Sequence, residues 1–341
     1  MIQHRNQEII DNSTYNGISG LNATVYGATG SIGGYLSSRL GDISSDLTYP
    51  MRTRFMFEDG LKDLRCHGSS GMTYLAMNTN LSDLKNLHRV NRHSDTIINM
   101  LGPSRFMLRK YEDYKLINMD IPQKIAKSAR ITGAKKLIHF SAVGASPTSD
   151  SMDFKTKYFG EQLVRDEFPD AIIIRPTIVL SRKDHYLKYY ANMMDHWHSF
   201  VPVYDDCMAL KQPIVINDFV EAIVNAIKLD NIQGKTFEIG GPFQYTQKEI
   251  IEIMMNSFQR DIKLYKFNKK IAMKIGGYFG SRHLNREDVI KSGIDQVVRQ
   301  ENGEGNIHDL FVQPASITPF IKMYFDKFKD LPTFTKFDNE I

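Results

Sequence analysis

Gly27, Gly30 and Gly33 recur at three-residue spacing between the β-rich run Ala23-Thr24-Val25-Tyr26 and an apolar-periodic segment carrying Tyr35, Leu36 and Leu40. A strand, a glycine turn and a helix in that order make a phosphate cradle. Glycine permits the tight turn and lets the backbone approach a pyrophosphate, whose charge is stabilised by free amides and by the positive end of the helix. Gly27, Thr29, Gly30, Ser31, Ile32 and Gly33 are therefore the expected phosphate contacts of a dinucleotide, with Gly33 also letting helix and strand pack closely. About 20 residues after such a loop a carboxylate selects the ribose hydroxyls of NAD, whereas a 2′-phosphate needs a cation. Arg52 holds that place, with Arg54 close behind. NADPH is the expected ligand; the alternative is that both arginines point into water.

The Gly-x-x-Gly-x-x-Gly spacing resembles the extended and atypical short-chain dehydrogenase/reductases. That resemblance implies a serine after the fifth strand and a Tyr-x-x-x-Lys pair opening the next helix, the tyrosine moving the proton while the lysine lowers its pKa and holds the ribose. Ser141 and Lys157 fit the serine and lysine places, but Asp153 stands four residues before the lysine. Tyr158, next to the lysine, points roughly 100° around a helix from it. An aspartate is shorter than a phenol and ionised at neutral pH, so it is a poor proton donor to a forming alkoxide. Ordinary carbonyl reduction is not expected here, while binding is: Lys157 can hold the nicotinamide ribose, Arg175 to Ile178, with Pro176 and Ile178 foremost, can wall the nicotinamide, and Asn80-Leu81 and Leu101-Gly102 occupy the places that flank adenine and ribose.

These residues need elements to position them. Strand-like runs at Asn22–Tyr26, Asp46–Met51, Thr73–Met77, Asp95–Met100, Lys136–Ser141 and Ala171–Arg175 alternate with helical segments, which argues an α/β fold, a Rossmann-type doubly wound parallel sheet. Asp120 precedes the apolar stripe Ile121, Ile125, Ala126 and Ala129, and Phe154 to Phe168 follows a similar period. Asp218 is placed to cap a helix beginning near Val220, and Thr246 with Glu249 spells a capping box. Beyond about residue 180 the alternation fades. The expected organisation is an N-terminal extension over 1–20, an NADP-binding domain over 21–180, and a smaller interleaved C-terminal lobe over 181–341 whose segment 211–240 packs back on the core. Phe320, Ile321, Tyr324, Phe325 and Phe328 share a helical face, read as core packing or as a docking face.

Composition narrows the function classes. A net charge of +4 on 43 basic and 39 acidic residues gives little support to nucleic acid as a partner. Cys66 and Cys207 lack a CxxC neighbour, and His185, His196 and His198 lack an acidic or cysteine complement at ligand spacing, so neither a disulfide scaffold nor a metal site is expected. No apolar run approaches the roughly 20 residues that span a bilayer. The first twenty residues include Glu8 and Asp11, unlike an Arg-rich, acid-poor transit peptide.

The combination of Val25–Gly30, Pro50–Arg52, Ile97–Gly102 and Lys136–Ser141 resembles the dinucleotide-binding accessory subunits of mitochondrial respiratory complex I. The runs Val164–Ile173, Lys211-Gln212-Pro213 and Ile223–Lys228, and Thr318-Pro319 near the end, are similar to the same family. The resemblance implies a non-catalytic subunit carrying structural NADPH, on the matrix side of the inner mitochondrial membrane. It would lie near the junction of the peripheral and membrane arms, with other complex I subunits as partners and a possible membrane-surface contact. Two alternatives stay open: an atypical NADPH-dependent reductase of the isoflavone-reductase-like kind using Lys157, and a free NADP(H)-sensing regulator.

Overall fold

The computed structural model describes residues 21–43, 46–52, 64, 73–103, 110–196, 200–204, 207–258, 263–279, 286–299 and 304–326. The expected extension 1–20, Arg54, His198 and Phe328 lie outside the described residues.

The first half alternates strand and helix: β1 (Asn22–Tyr26), α1 (Gly33–Asp42), β2 (Asp46–Pro50), β3 (Thr73–Ala76), α2 (Leu84–Asn91), β4 (Thr96–Asn99), α3 (Tyr111–Lys115), α4 (Ile121–Thr132), β5 (Lys136–Phe140), α5 (Met152–Glu167) and β6 (Ile172–Pro176). With β11 (Thr236–Ile239) these strands form one seven-stranded sheet in the order β11-β6-β5-β4-β1-β2-β3, every pair parallel. The order reverses between β1 and β4, and ligands of open α/β sheets bind in that crevice, beyond the carboxyl ends of the strands. Val25, Ile97, Ile98, Ile138 and Ile172 to Ile174 are fully buried because helices cover both faces.

The second half adds β7 (Val179–Leu180), α6 (His185–His196), β8 (Phe200–Tyr204), β9 (Leu210–Lys211), β10 (Ile214–Val215), α7 (Ile216–Lys228), β12 (Tyr245–Thr246), α8 (Gln247–Phe258), β13 (Lys263–Phe267), α9 (Lys269–Phe279), α10 (Arg286–Ser292) and α11 (Ile317–Asp326). Helix α7 buries Phe219, Val220, Ile223 and Ile227 in the sheet core with α1. It begins at Ile216, so Asp218 is not the N-cap expected; the cap is Val215, and Asp218 accepts from the Ala315 N–H at 2.7 Å. The capping box before α8 forms: the Thr246 N–H donates to Glu249 at 2.6 Å and the Glu249 N–H to Thr246 Oγ1 at 3.2 Å. On α11, Ile321, Tyr324 and Phe325 are buried in a second core with Met194, Ile250 and Met254, so this face packs inward.

A π-helical turn, Leu116–Asp120, joins α3 to α4. It bulges the chain towards α5 at Gly160, where a Cβ would stand 1.9 Å from the Asn118 carbonyl oxygen. This close approach puts the Asn118 side chain against Asp153 and Thr156.

Candidate functional site

The loop between β1 and α1 forms one wall of a groove of about 640 Å³. Gly27 has φ +83°, and a Cβ there would lie 2.9 Å from the Met100 carbonyl oxygen. At Gly33 a Cβ would fall 2.2 Å from the Gly27 carbonyl oxygen, so helix and loop touch as only glycine allows. Helix α1 has no side-chain cap, and Ser31, Ile32 and Gly33 face the groove, which turns the amides and positive dipole of its first turn towards whatever fills it.

The strand ends supply the neighbouring walls. Pro50 ends β2, with Met51 and Arg52 after it, and Met100 to Pro103 follow β4. The β4 exit is held by Asn99, whose Oδ1 accepts from the Leu101 N–H at 3.2 Å while its amide lies 3.1 Å from His139 Nδ1. Burial, and then the charge of Lys157, push the His139 imidazole down to about 3, so it is neutral across the ordinary pH range.

At the far end, Lys157 Nζ lies 3.5 Å from the Ser141 carbonyl oxygen, and the buried Ser141 hydroxyl has no hydrogen-bond partner among the described residues. Asp153 sits in the phenol's place and is engaged. Its Oδ1 accepts from Asn118 at 2.9 Å, its Oδ2 accepts from Lys291 at 2.6 Å, and Lys157 lies at 3.8 Å. Burial opposes ionisation of Asp153, but the two lysines and Asn118 outweigh it and hold the carboxyl below the usual carboxylate range. Burial lowers the Lys157 pKa, with Asp153 acting against it. The Lys291 pKa is raised: burial opposes the charge, but the ion pair with Asp153 prevails. Tyr158 does not line the groove; its ring packs edge-on to Phe159 at 5.6 Å.

Of the residues expected from sequence, Gly27, Thr29, Gly30, Ser31, Ile32, Gly33, Arg52, Leu81, Leu101, Gly102, Ser141, Lys157 and Pro176 all line this one groove. Asn80 does not; it is exposed, and its Oδ1 accepts from the Ser82 N–H at 3.0 Å in the turn before α2. Ile178 faces an adjoining cavity of about 220 Å³ with Tyr186, Tyr189 and Tyr190, and Thr177 before it donates to the Gln212 carbonyl at 2.6 Å. Arg175 is drawn from the groove into an ion cluster, its fork on Glu161 at 3.0 and 2.8 Å and its other nitrogen 2.5 Å from Glu304. Sequence reasoning missed Tyr114, Glu287, Asp288 and Lys291. Glu287 binds the start of α5, accepting from Ser151 Oγ at 2.7 Å and from the Met152 N–H at 3.3 Å. An isolated Arg-Glu-Asp on a late helix carries no local signal that it reaches back so far; Asn118, three residues before the Ile121 stripe, could have been sought as a helix partner.

The glycine cradle, the cation at Arg52 and the unpartnered Ser141 hydroxyl fit a nicotinamide dinucleotide. Comparison with known proteins agrees on the fold and adds kinship. Residues 23–240 match the model of the family described as NAD dependent epimerase/dehydratase. A mouse relative, "NADH dehydrogenase (ubiquinone) 1 alpha subcomplex subunit 9, mitochondrial", is 32% identical over 306 residues, covering 88% of this chain and 78% of its own. The "NADH-ubiquinone oxidoreductase 40 kDa subunit, mitochondrial" of Neurospora crassa is 26% identical over 328 residues, covering 94% and 84%. Among solved structures, the dTDP-glucose 4,6-dehydratase DesIV of Streptomyces venezuelae, with NAD bound, superposes with a TM-score of 0.67 at 15% identity, over 90% of this chain and 96% of that one. A UDP-glucuronic acid 4-epimerase from Bacillus cereus, also with NAD, gives 0.66 at 15%, over 90% and 98%.

Proposed function

This chain belongs to the NAD dependent epimerase/dehydratase family and, within it, to the family of the mitochondrial NADH dehydrogenase alpha subcomplex subunit 9 proteins, and we propose that it is a non-catalytic accessory subunit of respiratory complex I that holds NADPH as a structural cofactor. The observation that carries this reading is the pairing of an intact nucleotide cradle with an ion pair, Asp153 to Lys291, where a proton-donating phenol would stand. NADPH would supply no chemistry here beyond its bound mass and charge. The amides of Ser31 to Gly33 would take its pyrophosphate, Arg52 its 2′-phosphate, and Lys157 with Ser141 its nicotinamide ribose. A ligand that binds only the folded state stabilises it by RT ln(1 + [L]/Kd), about 4 kcal/mol at a thousand-fold excess over Kd. Nucleotide binding thereby holds the subunit in a form competent for assembly.

We place the subunit on the matrix side of the inner membrane, in the peripheral arm near its junction with the membrane arm, touching other complex I subunits and the membrane surface. No described helix is long and apolar enough to cross a membrane, which is compatible with peripheral attachment. The domain division is proposed as read from sequence, with 21–180 carrying the nucleotide and 181–341 closing the site through α10.

The test is denaturing extraction of nucleotide from the gently solubilised, purified assembly, with mass detection. One NADPH per copy of this chain, in a large NADH-oxidising complex, is the expected result; a chain migrating free, or an assembly without NADPH, overturns the reading. A second reading, an NADPH-dependent reductase, is favoured by one observation: the unpartnered Ser141 hydroxyl beside a lysine whose pKa burial depresses. Oxidation of bound NADPH by a carbonyl, enone or quinone in a single turnover would establish it.

A further inference from the structure

We infer that β13 and the start of α9 form a surface that binds anionic phospholipid headgroups. The inference extends the proposed membrane-side placement and rests on it, but not on the nucleotide.

The stretch Lys263–Phe279 carries Lys263, Lys266, Lys269, Lys270 and Lys274 and no acidic residue. Alternate positions of a strand share a face, and on β13 the alternate residues Lys263, Tyr265 and Phe267 are all exposed, Tyr265 by 53% and Phe267 by 44%. Among the described residues β13 pairs only with β8, in a two-stranded sheet. The strand runs through Asn268, which accepts from the Lys270 N–H at 2.9 Å, directly into α9. There Ala272 and Met273 pack inward against Tyr204 and Val289. At about 100° per residue, Lys270, Ile271 and Lys274 fall on the opposite side, and all three are exposed, Ile271 by 58%.

Exposed aromatic and branched side chains interleaved with lysines suit one environment well. At the bilayer interface the rings and the isoleucine enter the headgroup layer, while the lysine stems lie along it and their ammonium groups meet phosphate. Clustered lysines beside an anionic leaflet add attraction that falls off within a Debye length. An acidic protein partner would match the charge, but the exposed Tyr265, Phe267 and Ile271 would then need a complementary apolar pocket.

The test uses the full chain with phosphatidylcholine vesicles, with and without phosphatidylglycerol, read by co-sedimentation. Expected are binding to the anionic vesicles only, weakening with salt, and a loss of about five-fold for each lysine removed, or about a hundred-fold for Lys263→Gln, Lys270→Gln and Lys274→Gln together. Tyr265→Ser with Phe267→Ser should weaken binding further in high salt. Unchanged binding in the triple variant, no preference for anionic lipid, or indifference to the aromatic pair would each overturn the inference. Arg52→Ala separates the two proposals: it should lower NADPH binding and leave vesicle binding intact. Thermal melting within a few degrees of the parent confirms that each variant is folded.

Discussion

Lys291 Nζ lies 2.6 Å from Asp153 Oδ2, a contact spanning 138 residues of chain that seals the end of the groove where a proton donor would act. The pair is nearly desolvated at the carboxylate, with the Asp153 side chain 4% exposed and those of Lys157 and Lys291 17% and 27%. In such a site the Coulombic gain largely offsets desolvation, but removing the anion strands two cations.

Asp153→Ala should accordingly destabilise the protein by on the order of 3 kcal/mol. Chemical denaturation at neutral pH checks this. Adding Lys291→Met to that variant should restore part of the loss, and a double-mutant cycle with no coupling between the two positions would contradict the ion pair.

Arg52→Ala should weaken NADPH binding by roughly 10- to 100-fold, the loss of a hydrogen-bonded charge on the 2′-phosphate, and leave NADH binding within a few-fold. Titration calorimetry with both nucleotides distinguishes this from a general loss of the site. Equal losses for the two would mean that Arg52 does not read the 2′-phosphate.

Gly33→Ala should abolish nucleotide binding and cost about 1–3 kcal/mol through overpacking, because the new methyl would fall 2.2 Å from the Gly27 carbonyl oxygen and the backbone there has to move. Gly102→Ala is the control. Among the described residues nothing lies within 4 Å of a Cβ at that position, and a melt close to that of the parent is expected.

His139 gives the fold an acid-sensitive component. Its folded pKa, about 3, lies below the unfolded value of 6.5. The unfolded chain therefore binds the extra proton between those limits, and stability falls as pH drops through that window. The slope from this group is about 1.4 kcal/mol per pH unit within the window, and its contribution is fully present above pH 6.5. Asp153, held below the carboxylate range, adds a loss of the same sign at lower pH. Unfolding curves from pH 7 to pH 4 should show the His139 slope, and His139→Asn should remove it; a variant with the parent's full slope would refute the assignment.

The parallel sheet was legible because its strands centre on short apolar runs, Leu137-Ile138 in Lys136–Phe140 and Ile172 to Ile174 in Ile172–Pro176, that are buried between the helix layers. β11 was not read as a strand. Thr236-Phe237-Glu238-Ile239 is only four residues long and includes a glutamate, which is tolerated because Glu238 accepts from the Arg299 N–H at 3.0 Å and lies 3.5 Å from Arg175. Asp218 misled for a related reason. It has the side chain of an N-cap, but Ile216, two positions earlier, is buried, and packing of the apolar face extends α7 back to it.

What the sequence by itself determined is what neighbours along the chain can encode: the glycine turn at Gly27–Gly33, the cation at Arg52, the serine and lysine places, and the absence of a tyrosine four residues before Lys157. What only the tertiary structure decided is the state of that vacant donor place. Asn118 reaches Asp153 through a π-helical turn that presses on Gly160, and Lys291 and Glu287 arrive from α10. No local pattern specifies those meetings, because they depend on how α10 packs against the start of α5 after more than a hundred intervening residues have folded. A lone aspartate in the sequence reads as a missing phenol; in the fold it is the buried anion that two half-buried cations require.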